Sequence, residues 1–417
     1  MNSPLDGDRA PARVPAHSAA ASADTSPPGP GTSNTAFARL SGIDAARGIA
    51  MVLVCLSHIR SHFEDIPAVY SLLTNVTRIA TPTFLLLSGF IAAHVLSGAR
   101  GGARIAVIDR GLFVLMTGHL LLNLDQLAQI HWADWLFARV TVTDAIGISL
   151  VIGALCVRLP GRVLLLCGVT LALVSWPIAI TASTESETLR YLLIALFDIR
   201  NDHSGLVDAA VAPYLGLFLI GMALSRRWQH LIAGRNYDAL ARKLFVTGAI
   251  TVVAVCVTAV LWMMLKHGLI ALIGSQHTAL LQQALTPTRK LPPSPAYLAF
   301  YSGAALLLAA ACLARRPRAI MEPIVTWAAT LGRTSLMCFV AQDWLLLTIP
   351  GMLDLDRIRS RVFWVSYFVV AIVLLYQLAR RWDARGANRF LTVGLKNFAN
   401  KRIAVKGQPR AAERRPI

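Results

Sequence analysis

Runs of about 20 consecutive apolar residues, each long enough to cross a hydrocarbon core about 30 Å thick, constrain this chain more than any other feature. Ten occur along its 417 residues, at approximately 43–60, 79–97, 106–122, 142–158, 163–182, 210–225, 244–265, 296–314, 328–349 and 362–379. In lipid every backbone N–H and C=O must be bonded within the protein, so segments of this length must be helices. The expected fold class is therefore all-α, a polytopic integral membrane helical bundle with about ten transmembrane helices. Composition agrees: 55% of residues are hydrophobic and 15% charged, where soluble chains average about 45–50% and about 25%. A further apolar patch, GLIALIG at 268–274, is too short to span and is expected to lie in the membrane interface.

The net charge of +18 would point to nucleic acid in a soluble protein, but here there is no soluble module to bind it and the arginines sit in short blocks between apolar runs. Arg100, Arg104 and Arg110 follow the second run, and Arg158 and Arg162 the fourth. Arg226, Arg227, Arg235, Arg242 and Lys243 follow the sixth, Arg315, Arg316 and Arg318 the eighth, and the chain after the tenth is densely basic. Every second connection is thus basic. The positive-inside rule then predicts a multi-pass protein of a bacterial-type inner (plasma) membrane with both termini cytoplasmic, and the same charges attract anionic membrane lipids. The opposite loops are acidic or mixed, and Trp132 and Trp135 in one of them fit an interfacial belt. On that side residues 266–295, containing TPTRKLPPSP, are expected to form a small extracytoplasmic cap.

Residues 1–38 are rich in Ala, Ser, Pro and Gly and have no apolar core for a cleavable signal, so a disordered cytoplasmic tail is expected there. The membrane domain is expected over 39–382 and a basic cytoplasmic tail over 383–417. All six cysteines fall within apolar segments, which argues against a disulfide framework and for small buried apolar residues.

Ionisable groups inside the spans carry the functional signal. In RGIAMVLVCLSH, Arg47 and His58 are eleven residues apart; at about 100° and about 1.5 Å per residue they share one helix face about 16 Å apart. Arg47 keeps its charge and offers a fork suited to phosphate or carboxylate, whereas imidazole exchanges protons near neutral pH. Asp44, one turn before Arg47, is placed to pair with it. Ser88 and Gly89 near the end of the second run permit close helix approach. Arg104 and Arg110 stand among glycines in SGARGGARIAVIDR and suit phosphate. His119, close to Asn123, Asp125 and Gln126, shares its side of the membrane with His131, Asp134, Asp198, Asp202, His203 and Asp208, a set able to line a polar acceptor site. The ninth run, LGRTSLMCFVAQDWLLL, opens with Arg333 and Ser335 and carries Gln342 and Asp343 within its apolar length. No phosphate loop, paired CxxC, HExxH or G-x-S-x-G elbow is present.

The Arg, ten residues, His pattern of the first run, with Asp44 in IDAARG before it and SGF in the second run, resembles the membrane acyltransferase family three. LGRTSLMCFVAQDWLLL resembles that family's late signature, and its LGR-x-SL form is similar to the OpgC branch, which succinylates osmoregulated periplasmic glucans. The resemblance implies an integral membrane O-acyltransferase that moves an acetyl or succinyl group from a cytosolic acyl-CoA to a hydroxyl of a periplasmic or cell-surface glycan or glycolipid. It implies His58 as catalytic, Arg47 as essential, and the region of Arg104 and Arg110 as the grip on the donor's phosphates. The chain departs from the signature at Gln342, where histidine is common. Acyl-CoA is a co-substrate in this scheme, with no bound cofactor or metal.

His58 serves such chemistry either as general base toward the acceptor hydroxyl or as a transient acyl carrier. Ser88, Ser335 and Gln342 are candidate oxyanion donors. The rival expectation is a transporter of an anion or glycolipid, which shares the buried Arg, His and Asp but favours internal repeats and broken helices in two matching halves.

Overall fold

The computed structural model describes residues 40–97, 102–122, 140–199 and 209–395. Among them eight helices are long and apolar enough to cross a membrane. The chain is an all-α polytopic membrane protein, and two shorter helices bring the bundle to the ten expected elements.

Helix α1 (Ser41–Ile59) occupies the centre. Its small residues, among them Ala45, Ala46, Gly48 and Ala50, are buried and let neighbouring helices approach closely. It ends in a single tight turn (Arg60–Phe63), after which Pro67 opens α2 (Pro67–Thr77). At 11 residues α2 is too short to span, so a search for membrane-length runs passes over it. α3 (Ala80–Ser97) follows, then α4 (Gly102–Phe113), which continues through a π turn (Val114–Gly118) into His119–Leu122.

α5 (Val142–Leu155) and α6 (Gly161–Thr181) fill the fourth and fifth runs. A short helix, α7 (Glu187–Phe197), precedes α8 (Val211–Arg227), whose residues from Val211 to Leu219 are all buried. That all-round burial marks α8 as an internal helix, packed between α3 and α6. α9 (Tyr237–Ile273) has 37 residues, about 55 Å of helix. It turns Ile250, Val253, Val257 and Met264 outward, where lipid is the natural solvent, and packs mainly on α11. The GLIALIG patch is therefore not a separate interfacial segment: its residues continue α9 up to Gly274, whose φ of 82° ends the helix.

α10 (Ser275–Ala284) and the loop to Pro295 form the expected cap region, followed by α11 (Pro295–Leu313) and α12 (Arg315–Arg333). The ninth run is not one helix over 328–349. Its first third belongs to α12, the chain breaks at Thr334, and α13 starts afresh (Ser335–Asp343), continuing through a second π turn (Trp344–Thr348) to Met352. Just before the break Gly332 lies so close to the Asp44 carbonyl that any side chain there would clash; Gly48 meets Ala328 in the same way, so α1 and α12 pack backbone to backbone.

α14 (Arg361–Ala384) completes the bundle. After it the chain returns to α4, where buried Asp109 accepts hydrogen bonds from the backbone of Val393 and Leu395 and from the Thr392 hydroxyl. The cysteines divide: Cys55, Cys312 and Cys338 are buried as expected, but Cys167 and Cys256 are exposed on the outer surface of the bundle.

Contacts between helix ends sort the connections onto two sides. On one side Gly42 at the start of α1 adjoins Cys312 and Leu313 at the end of α11, and Arg226 at the end of α8 bonds the carbonyls of Val157 and Leu159 after α5. On the other, Arg361 pairs with Asp65, and the Tyr297 hydroxyl at the start of α11 bonds the Arg78 carbonyl at 3.3 Å.

Candidate active site

Helices α1 and α13 are fastened at one end and separated by a cavity at the other. At the fastened end Arg47 Nη2 donates to Ser335 Oγ at 2.6 Å, and Asp44 lies 3.8 Å from Nη1 as expected from its spacing. The Arg47 side chain is 18% exposed, so the guanidinium is held by these groups rather than by bulk water. Arg110 lies near the end of α4 (Gly102–Phe113). Arg104 stands on α4 six residues earlier and is half-buried.

At the other end a cavity of about 380 Å³ is lined by His58, Ser57 and Val54 from α1 and by Phe339, Gln342 and Asp343 from α13. Arg60, Arg78, Lys290, Thr77, Thr81 and Thr141 complete its polar wall. The sequence-derived candidates His58, Gln342 and Asp343, 284 or more residues apart along the chain from first to second, thus share one chamber. Gln342 is 1% exposed and its Nε2 donates to the Phe339 carbonyl at 3.1 Å, while Oε1 has no hydrogen-bond partner. Asp343 is the last residue before the π turn of α13.

The other π turn has a parallel role. It immediately precedes His119, whose Nδ1 is 3.1 Å from Asp144 Oδ1. Asp144 in turn accepts from the Thr141 backbone N–H at 2.7 Å and from the Thr141 hydroxyl at 3.1 Å, a capping box at the start of α5. Thr141 lines the His58 cavity, so the His119–Asp144 pair braces its wall. The two π-bulged helices also meet directly: the Trp344 indole donates to the Leu121 carbonyl at 3.2 Å. π turns are frequent at functional sites because the widened turn re-aims side chains.

Other candidates fall outside the chamber. Ser88 is buried but does not line it, and Gly89 beside it abuts the Phe218 backbone of α8, the close-approach role expected for this pair. Arg333 pairs with Asp383 at 2.7 Å and ties α12 to α14. His62 stacks on Trp364 with ring centroids 3.6 Å apart. Asp198 caps α7 in a left-handed conformation. Asn123, Asp125, Gln126, His131, Trp132, Asp134, Trp135, Asp202, His203 and Asp208 lie outside the described residues.

Sequence reasoning missed Asp144, Asp109, Arg78 and the partner of Arg333. Asp144 had a usable signal: Thr141 followed three residues later by an acid before an apolar run is a capping-box pattern. Asp109, Arg78 and Asp383 are single charges whose partners lie far along the chain, and no local pattern announces them.

A bundle of membrane-length helices with polar side chains gathered in an internal chamber defines the protein as a polytopic membrane protein with an internal polar site. The chain belongs to the family whose model is described as heparan-alpha-glucosaminide N-acetyltransferase, catalytic, which matches residues 39–248, half of its length. A second family model, OpgC protein, matches residues 217–385, so the two overlap and together cover residues 39–385. No curated protein and no solved structure matches the chain. Both families are acyltransferase families, so the chain is a membrane acyltransferase, as the motifs in α1, α3 and α13 implied, and over residues 217–385 it is similar to OpgC protein. The first match contains Arg47, His58, Arg104, Arg110 and His119; the second contains Ser335, Gln342 and Asp343.

Proposed function

We propose that the protein is an O-acyltransferase that takes an acetyl or succinyl group from a cytosolic acyl-CoA and delivers it to a hydroxyl of a periplasmic or cell-surface glycan. The catalytic unit is residues 39–382, in a bacterial-type inner membrane with both termini cytoplasmic. The observation that carries this reading is the pairing of α1 with α13: Arg47 and Ser335 joined at one end, His58, Gln342 and Asp343 around one cavity at the other.

Arg47 and Arg110 hold the donor's phosphates, with Arg104 about 9 Å nearer the start of α4 for a further one. The eleven residues from Arg47 to His58 leave about 16 Å for the pantetheine arm. In the cavity His58 takes the proton of the acceptor hydroxyl as its oxygen attacks the thioester carbonyl. The carbon–sulfur bond breaks, the carbon–oxygen bond forms, and the proton passes from His58 to the departing thiolate of CoA. Asp343 balances the imidazolium that forms between these steps, and Gln342 orients the hydroxyl.

The test is acyl transfer by purified protein in detergent. His58→Ala is expected to abolish transfer while the protein still inserts, folds and is stabilised by CoA. Full activity in that variant would overturn the assignment. Mass spectrometry of envelope glycans from cells with and without the chain identifies the acyl group and the acceptor together.

A further inference from the structure

Beside the His58 cavity, and sharing Arg60, Arg78 and Lys290 with it, lies a larger one of about 640 Å³. Four of its eight lining residues are cations, Arg60, Arg78, Arg289 and Lys290, and none is a carboxylate. Like charges gathered in one concavity repel, and the repulsion grows as water is excluded, so such a cluster needs a counter-charge. Two of these cations, Arg289 and Arg78, are held in place by neutral groups, and the carboxylate of the adjoining cavity, Asp343, lies beyond the shared wall. Arg289 Nη1 donates to Gln283 Oε1 at 3.0 Å, and its guanidinium carbon stands 5.1 Å from the centre of the Trp176 ring. Arg289 Nε is buried and has no hydrogen-bond partner. Arg78 Nη1 donates to Asn75 Oδ1 at 3.0 Å. Among the described residues Arg60 makes no hydrogen bond or ion pair, and the nearby Asp65 is engaged by Arg361. The loop that presents Arg289 and Lys290 is itself pinned, because Ser294 Oγ donates to the Thr286 carbonyl at 2.7 Å and Ser294 caps α11.

Guanidinium groups with unused donors, two of them anchored by neutral partners, match the oxygens of a phosphate or carboxylate. We propose that this vestibule binds an anionic group, phosphate or carboxylate, carried by the acyl acceptor, and so brings the acceptor's hydroxyl to His58 through the shared wall of Arg60, Arg78 and Lys290. The proposal rests on the reading that the donor is held at the Arg47 end of α1. It makes the acceptor an anionic glycan or a phosphate-linked glycolipid rather than a neutral sugar.

The experiment uses the full chain in nanodiscs of neutral lipid, with inorganic phosphate and, separately, CoA as ligands, read by thermal unfolding and calorimetry. Phosphate is expected to stabilise the protein, and Arg289→Gln to weaken phosphate binding on the order of tenfold or more. Arg289→Lys, which keeps the charge, is expected to retain a substantial part of the affinity; if the Gln variant fails to fold, Arg60→Gln reads the same loss. Anionic-lipid nanodiscs distinguish the sources: loss of the phosphate effect there shows that a lipid headgroup occupies the site, and its persistence points to a soluble anionic acceptor. Absence of phosphate binding, or equal binding in the Gln variants, overturns the proposal while CoA stabilisation leaves the donor reading intact. Loss of CoA stabilisation in Arg289→Gln overturns both, since the vestibule is then the donor site.

Discussion

Arg47 donates to Ser335 across 2.6 Å, and this one bond joins two helix starts that lie 288 residues apart in the chain. From it α1 runs eleven residues to His58 and α13 eight residues to Asp343, and both end at the same cavity. The clamp therefore sets the register of the helices that carry the cavity's polar groups.

Ser335→Ala removes the acceptor and leaves Arg47 with Asp44 alone. The expected cost is about 1.5–3 kcal/mol of stability, the worth of a hydrogen bond to a charged group. A several-fold rise in KM for acyl-CoA should accompany it, because the guanidinium is no longer aimed. Thermal unfolding and steady-state kinetics on the same preparation check both; a variant with lower stability and unchanged KM would make Ser335 a structural clamp without a part in donor binding.

Gln342 offers a prediction with opposite signs for stability and rate. Its Oε1 is buried and has no partner, which is a cost in the folded state. Gln342→Leu is expected to fold at least as stably as the parent, yet to lose about tenfold in kcat/KM, equivalent to one hydrogen bond of about 1.4 kcal/mol to the acceptor. Equal kcat/KM in the two proteins would remove Gln342 from the site.

The helices were legible because hydropathy over about 20 residues is a property of sequence alone. Arg47, His58 and Asp343 were legible for a related reason: a charge inside an apolar run is conspicuous without knowledge of its partner. The division of the ninth run at Thr334 was not, since hydropathy alone joins its two halves into one run. The two π turns were hidden as well, for a single extra residue in a helical turn leaves no mark on hydropathy. Arg289 and Lys290 were visible only as part of a basic loop; their convergence with Arg60 and Arg78 depends on how the cap folds back.

The contact between α1 and α12 is sensitive to a single methyl. A side chain at Gly48 would run into the Ala328 backbone, so Gly48→Val is expected to cost about 3 kcal/mol or more by overpacking. Gly48→Ala should show a smaller loss of the same sign. Yield and thermal unfolding in detergent measure it, and a Val variant as stable as the parent would mean that the helices separate freely there.

Arg333 and Asp383 test whether the break before α13 is held from outside the cavity. The pair is 2.7 Å apart with both side chains 24% exposed, and the Arg333 carbonyl also accepts from Asn388 at 3.1 Å. Arg333→Ala is expected to cost about 1–3 kcal/mol, since it strips a charged hydrogen bond from a partly buried partner. Thr334 and Ser335 follow directly, so the loosened end should also weaken the Arg47 clamp and raise KM for acyl-CoA, although Arg333 touches neither the cavity nor Arg47. The exchanged pair, Arg333→Asp with Asp383→Arg, should recover part of both losses. A double-mutant cycle on stability and KM separates the terms, and a coupling indistinguishable from zero would show that the two residues act independently and that α13 is positioned by its own packing.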